Sequence, residues 1–257
     1  MAATPYFRQI KHGIDFMPEK FTLPRHRHFR PYATVVLSGR FIENGYIGRV
    51  CTAPGDVIIH PSLDCHENEM FTNSIRIIRL EWHDSYGAGG LFQIEDADAI
   101  ARAAEKDVTL ATALLREELS KRKKITPNRK DDWPDLLAAN LRQNVSLELT
   151  AWAESHGLAP ETVSRGFAQA YGVPPKVFRA ELRTRNAWVR ITRTRDPLSA
   201  IAADTGFADQ SHMTHWIRSM TGQPPTHWRG VALRAGFGAA DPGLHTRATP
   251  AFSAGVL

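Results

Sequence analysis

Apolar positions in the C-terminal third of the chain recur with a helical period, and they do so twice. Leu149, Trp152 and Ala153 fall three and four residues apart, and Leu198, Ile201 and Ala202 repeat that spacing, which predicts a helix with one buried face in each place. A glycine follows each stripe at the same distance, Gly157 and Gly206, where a left-handed residue ends a helix and turns the chain. A second helix is predicted after each turn. The first opens near Pro160, a residue suited to an initial helical turn, with Val163, Phe167 and Ala170 inward. The second opens after Asp209, a helix-capping residue, with Met213, Ile217 and Met220 inward. The correspondence continues from Phe167 to Gly172, Pro174-Pro175 and Phe178-Arg179, answered by Ile217 to Gly222, Pro224-Pro225 and Trp228-Arg229. Between turn and second half the later copy is one residue longer. A duplication of this kind takes precedence over other patterns.

Two helices crossing over a short glycine turn make a helix-turn-helix, whose second helix fits a DNA major groove. The outward faces of the second helices carry Glu161, Thr162, Ser164, Arg165 and Gln169 in one copy. In the other they carry Gln210, Ser211, His212, Thr214, His215 and Arg218. Arg suits guanine, Gln adenine, and Glu a cytosine amino group. One such face is an ordinary solvated surface; two in tandem, each behind a glycine turn, predict DNA contact. Val177 to about Thr194 predicts a long joining helix. Leu182, Val189 and Ile191 are its apolar groups, and Arg179, Arg183, Arg185, Arg190 and Arg193 face solvent or phosphates, contacts that fix register without reading sequence.

Upstream the period shortens to that of strands. Tyr32 to Ser38 is rich in β-formers and ends before Gly39. Phe41-Ile42 and Tyr46-Ile47 flank Glu43-Asn44-Gly45, and Asn-Gly predicts a hairpin turn. Pro54-Gly55-Asp56 turns into Val57-Ile58-Ile59, and Ile75 to Trp82 is a further strand. Short strands between turn residues predict a small β barrel or sandwich. Residues 1 to about 22 read as an arm of weak pattern, and 83–90, with Gly87, Gly89 and Gly90, as a loop. From Asp96 to Ser120 the apolar residues Ile100, Ala104, Val108, Ala111, Leu114, Leu115 and Leu119 predict one helix packed on the barrel. Lys121 to Lys130 is a charged, mobile linker, and Trp133 to Asn144 is a short helix. Ala235 to Leu257 lacks any period and reads as disordered.

Composition adds compartment and a weak vote on partner. Net charge is +5; residues 1–140 hold 19 Lys+Arg against 19 Asp+Glu, whereas 141–230 hold 11 against 7. The excess therefore falls on the duplicated region, as a phosphate-binding surface requires. Cys51 and Cys65 make no disulfide framework and suit a reducing cytosol; Cys65, beside His66, is a candidate redox thiol, set against an inert buried cysteine. No signal peptide or membrane span is visible. The expected location is cytoplasmic, on the nucleoid when bound to DNA.

Ala153…Gly157-Leu158-Ala159-Pro160…Ser164-Arg165…Phe167 and, more specifically, Ile201-Ala202…Gly206-Phe207-Ala208-Asp209-Gln210-Ser211-His212-Met213…Ile217…Gly222-Gln223-Pro224-Pro225…Trp228-Arg229 resemble the DNA-binding domain of the AraC family of transcription regulators. The resemblance implies two helix-turn-helix units on one long helix, with Glu161, Ser164 and Arg165, then Gln210, Ser211, Thr214 and His215, as base readers. The family often has Arg at His215 and an aromatic at Met213 and Ile217. His26-Arg27-His28, Gly39, Pro54 to His60-Pro61, and His66 resemble the cupin-like sensor domain that precedes it in many such regulators. That implies an α+β chain of two domains. Residues 1–120 are a cupin-like β barrel with helices for effector sensing and dimerisation, 121–132 a linker, 133–232 an all-α DNA-binding domain, and 233–257 a tail.

Effector-binding candidates are His26, His28, Tyr32, Tyr46 and His66. Implied partners are promoter or operator DNA, an unidentified small effector, RNA polymerase and a second copy of the chain, with no membrane. His26, His28 and His66 are also metal-ligand candidates, since three imidazoles suit a divalent transition ion. The carboxylate that usually completes a cupin metal site is missing after His28, where Phe29-Arg30-Pro31-Tyr32 stands, and Glu43 or Glu81 substitutes only by an unusual geometry. No metal, cofactor or catalytic residue is therefore expected. The competing readings are a metal-dependent cupin enzyme with an appended helical domain, and a regulator whose barrel serves only assembly.

Overall fold

The computed structural model describes residues 11–17, 19–86, 89–125 and 132–235. The N-terminal part holds β1 (Gly13–Met17), β2 (Phe21–Arg27), β3 (Tyr32–Ser38), β4 (Ile42–Gly45), β5 (Gly48–Cys51), β6 (Asp56–His60), β7 (Cys65–Met70), β8 (Ile75–Glu81) and β9 (Gly90–Gln93), then α1 (Ala97–Lys106) and α2 (Val108–Ser120). The strands form two antiparallel sheets, ordered β1-β8-β3-β6-β9 and β2-β7-β4-β5. Alternation along the strands divides their side chains between two cores. Ala33, Val35, Val57 and Ile59 pack under α1 and α2 with Ile100, Ala111 and Leu115. Val36, Ile58, Ile75 and Ile77 join Phe41, Val50 and Met70 in a separate cluster.

The C-terminal part is helical: α3 (Trp133–Gln143), α4 (Leu149–Ser155), α5 (Pro160–Tyr171), α6 (Pro175–Arg193), α7 (Leu198–Asp204), α8 (Gln210–Thr221) and α9 (Pro225–Ala235). The N-terminal half of α6 lends Phe178 and Leu182 to the core of the first unit, with Leu137, Leu141, Trp152 and Phe167. Its C-terminal half lends Trp188 and Ile191 to the core of the second, with Ile201, Ile217 and Trp228.

Several local expectations are corrected. The 96–120 helix is two helices, because Asp107 at φ −156° ends α1 and caps α2 by accepting from the Thr109 amide at 2.7 Å. The β4–β5 turn is Tyr46-Ile47, with Gly45 opposite Gly48. Gly45 is small because a Cβ there would lie 2.6 Å from the His66 Cβ, and Asn44 is a strand residue bonded through Nδ2 to Glu67. The supposed arm contains β1 and the start of β2. In β1 the alternation is inverted, with Ile14 and Phe16 exposed and Asp15 turned to Arg79, which hides the strand from a hydrophobicity pattern. The first linker residues are tied to the barrel, Ile125 N–H to Leu91 and Lys124 Nζ to Gly89. Residues 126–131 of that linker lie outside the described residues, as does the tail after Ala235, the end of α9.

Candidate DNA-binding face and ligand cavity

Both glycine turns have the same hydrogen bonds. Leu158 N–H reaches back to Ala153 O and Phe207 N–H to Ala202 O, each at 2.9 Å, while Gly157 and Gly206 take φ of +65° and +81°. This is the Schellman ending, in which the left-handed glycine satisfies the last carbonyls of a helix. α5 and α8 end alike, on Gly172 and Gly222 at φ +72° and +74°. Their starts differ. The Asp209 carboxylate accepts from the His212 amide at 2.7 Å, whereas Ala159 offers α5 no side-chain cap.

The apolar stripes Val163, Phe167, Ala170 and Met213, Ile217, Met220 are buried. On the opposite faces Glu161, Thr162, Ser164, Arg165 and Gln169 are exposed, as are Gln210, Ser211, His212, His215 and Arg218; Thr214 is half-buried. The barrel covers neither polar face. His212 is held to its own helix, its Nε2 accepting from Trp216 Nε1 at 3.1 Å. The arginines of α6 are committed to protein. Arg179 and Arg183 bond Leu147 and Val145 carbonyls, Arg185 bonds Ser62 O, Arg190 pairs with Asp196 and Asp204, and Arg193 with Asp84. These bonds brace α6 against its neighbours rather than leaving a phosphate-facing row.

The barrel holds a cavity of about 280 Å³ that is partly open to solvent. Its polar lining includes His26, His28, Tyr32, Glu43, His66 and Asn68; its apolar lining includes Met17, Leu23, Phe41, Met70 and Ile77; Lys11, Asp15 and Arg79 add charge. His26 and His66 face each other directly across β2 and β7, their ring centres 4.5 Å apart, and His28 stands 5.2 Å from His66. Of the five effector candidates, His26, His28, Tyr32 and His66 meet here. Tyr46 does not: it packs toward the helical domain, with the Arg185 guanidinium 4.5 Å over its ring.

The sequence reading missed Asp64 and His60, and placed Glu43 in a turn. The Asp64 Oδ2 atom accepts from Nδ1 of both His60 and His66 at 2.8 Å, and Glu43 accepts from Asn68 Nδ2 at 3.0 Å. Burial alone would raise Asp64, but the charge of His66 and the hydrogen bonds from His60 and His66 hold it well below the usual carboxylate range. Burial pushes Glu43 up to about 7, and burial beside His66, His26 and His60 pushes His28 down to about 2. Donor atoms of His26, His28 and His66 lie within 4.8 Å of one another, as do those of Glu43, His60, Asp64 and His66. The residues present therefore fit a metal ion.

Residues 152–230 match the family described as a helix-turn-helix domain, in its AraC type. This segment is an AraC-type helix-turn-helix domain. No curated protein matches the chain. Among solved structures, the chain is similar to ToxT from Vibrio cholerae at 10% identity, covering 86% of this chain and 97% of that one, with a TM-score of 0.39. The C-terminal domain of AraT, a response regulator from Geobacillus stearothermophilus, aligns at 20% identity over 40% of this chain and 88% of its own, TM-score 0.38. A probable AraC family transcriptional regulator from Rhodopseudomonas palustris aligns at 19% over 37% and 93%, TM-score 0.35.

The AraC-type domain meets the barrel along β2 and β7. Side chains alternate across a strand, so β2 turns His26 to the cavity and Arg25 and Arg27 to the helices. Arg25 Nη1 donates to Tyr171 O at 2.9 Å, on the last residue of α5, and Arg27 Nη1 to Met220 O at 3.4 Å, in the last turn of α8. Both arginines also meet Glu181 of α6, at 2.6 and 3.6 Å. Glu181 keeps Arg25 protonated against the effect of burial. On β7, His66 and Asn68 face the cavity, while the Cys65 thiol donates to Glu181 at 3.5 Å. Burial and the Glu181 charge push that thiol up to about 12, which removes the redox-thiolate candidate. Phe29 and Leu63 reach the second unit, with Phe29 5.0 Å from the Trp228 ring centre. Among the described residues no helix is long and apolar enough to cross a membrane.

Proposed function

We propose that the chain is a cytoplasmic transcription regulator that reads promoter DNA with α5 and α8 and is governed by a small molecule in the barrel. Its partners are operator DNA, RNA polymerase and, through the exposed Leu110 and Leu114 of α2, a second copy of itself. The regulator reading is favoured over an enzyme because the cavity wall, through β2, continues into contacts with both reading helices.

One observation carries this reading. A single strand, β2, presents His26 to the cavity and Arg25 and Arg27 to the C-terminal carbonyls of both reading helices. A ligand that shifts β2 shifts two helix ends together. Such a ligand changes DNA binding to the extent that it prefers one arrangement over the other.

The test uses the full chain and a duplex selected by it from random sequence. Arg165→Ala and Gln210→Ala each weaken binding to that duplex by about 1–3 kcal/mol, with a smaller change on random DNA. Equal losses on both duplexes would remove base reading from these positions. A thermal-shift screen of small metabolites separates a sensing barrel from one that only assembles the protein.

A further inference from the structure

We propose that Leu63 is a positioning residue for the second helix-turn-helix unit, and that through it the Asp64 carboxylate, shared by His60 and His66, bears on α8. The consequence for DNA rests on the regulator reading; the mechanical link does not.

The connection between β6 and β7 is a four-residue turn, Pro61 to Asp64, closed by Asp64 N–H to Pro61 O at 3.1 Å. Its third residue, Leu63, has φ +58°. Glycine or asparagine is the usual occupant of such a place, because an L side chain there crowds the following carbonyl. Leucine has no polar group with which to offset that strain locally. Its side chain is nevertheless 2% exposed. Among the described residues it is the one barrel residue fully buried in the core of the second unit, in the cluster of Ala187, Trp188, Ile191 and Trp228; Phe29 is only partly buried against it. The unfavourable backbone is thus held by burial in the other domain and by nothing in the turn. Strain that a neighbouring structure maintains points to a function for the strained residue.

The residues on either side show what the turn joins. Ser62 is tied to the helical domain. Its carbonyl accepts from Arg185 Nε of α6 at 3.0 Å, its hydroxyl donates to Asp84 at 2.7 Å, and Asp84 meets Arg193. Asp64 is tied to the cavity. It accepts from His60 and His66 at 2.8 Å, and its carbonyl accepts the His28 amide at 3.0 Å. Leu63 alone separates the two sets. His66 lines the cavity, so an occupant that displaces its ring pulls on Asp64. One peptide away, Leu63 then turns with it or leaves its left-handed φ. Either change repacks the core in which Trp228 Nε1 donates to the hydroxyl of Thr221 at 2.8 Å, and Thr221 is the last residue of α8. This path differs from that of β2, which reaches the ends of both reading helices. Leu63 reaches the second unit alone, so the chain has one coupling common to both units and one private to α8.

The experiment follows hydrogen–deuterium exchange of the full chain, peptide by peptide. His66→Phe is the probe, since it keeps a ring in the cavity wall and removes the bond to Asp64. In the parent chain it raises exchange in α8 and α9 by about tenfold. In Leu63→Gly, whose backbone takes a positive φ without strain, these helices already exchange faster and His66→Phe adds nothing there. Leu63→Met, which refills the core, restores the response. Any change carried by β2 appears in α5 as well and is the same in all three backgrounds, so the difference between α8 and α5 measures the Leu63 path. A merely structural role for Leu63 makes the two substitutions additive in α8 and overturns the proposal; so does an equal response in α5 and α8, or none in either. Far-UV circular dichroism and thermal melting report folding, and the nearly isosteric Asp64→Asn replaces His66→Phe as the probe should that variant not fold. Affinity for the selected duplex is measured on the same variants. A coupling seen in exchange with no change in that affinity upholds the Leu63 path and counts against the regulator reading. Sequence-selective binding with additive exchange overturns the path and leaves the regulator reading standing.

Discussion

The two helix-turn-helix units share their turns and helix ends but not their neighbours. The first is held by charge. The Tyr171 hydroxyl donates to Asp135 at 2.8 Å, Arg49 from β5 pairs with Asp132 and Asp135, Arg25 caps Tyr171 O, and Glu67 sits against Gly172. The second is held mainly by rings, Phe29 of the barrel wedged by Trp188 and Trp228. A duplicated unit keeps the residues that stop and turn its helices, since glycine takes the positive φ of these endings at the least cost. It is free to change wherever each copy meets a different surface. The first unit's hold on the barrel is thus mainly directional and salt-sensitive, whereas the second adds to its ring contacts, as polar ties, Arg27 to Met220 O and the Arg193–Asp84 pair.

The largest effects test what the copies share. Phe167→Ala costs about 3–5 kcal/mol and Ile217→Ala about 2–5 kcal/mol, read from urea denaturation of the full chain; a loss at one site only would mean that the copies do not have equivalent cores. The next pair separates them. Ala at Gly222 costs about 1–2 kcal/mol for the left-handed backbone alone, because nothing lies within 4 Å of its added Cβ. Ala at Gly172 costs more, since its Cβ runs into the Glu67 carboxylate. Equal melting shifts at the two glycines would show that the first unit does not rest on the barrel in solution. The smallest effect concerns helix starts. Asp209→Ala loses about 1 kcal/mol, and Ala159→Asp gains up to about 1 kcal/mol by supplying the missing cap. A gain from a better cap at α8, or none at α5, would contradict the asymmetry.

The sequence made the helical domain legible because its buried stripes are apolar and glycines mark the ends of α4, α5, α7 and α8; α5 and α8 begin and end within a residue or two of expectation. The barrel was less legible for a physical reason. Strands that line a polar cavity do not alternate apolar with polar: β7 turns His66 and Asn68 inward, and β1 turns Asp15 inward. Of the cavity residues, His26, His28, Tyr32 and His66 were found by spacing and likeness. Glu43 was hidden by the pull of Asn44-Gly45 toward a turn, and Asp64 and His60 by lying in and beside a loop whose hydrogen bonds only the fold reveals. Tyr46 was misplaced because it belongs to the β4–β5 turn rather than to a strand, which lets it reach Arg185 of α6. The arginines of α6 looked like a phosphate row, and their carbonyl and carboxylate partners are distant in sequence or, for Arg190, in the following loop and on α7.

The pairing of β2 with β7 shifts register between Leu23 and His26, around Pro24. This irregularity sets which parity of the strand faces which way. Adding or deleting one residue there would rotate imidazoles onto α6 and guanidinium groups into the barrel, reversing both sides at once. Point changes along β2 can be absorbed singly, whereas a change in its length cannot. Descendants of this chain should therefore vary freely at the exposed Thr22 while holding the count of residues from Phe21 to His28 constant.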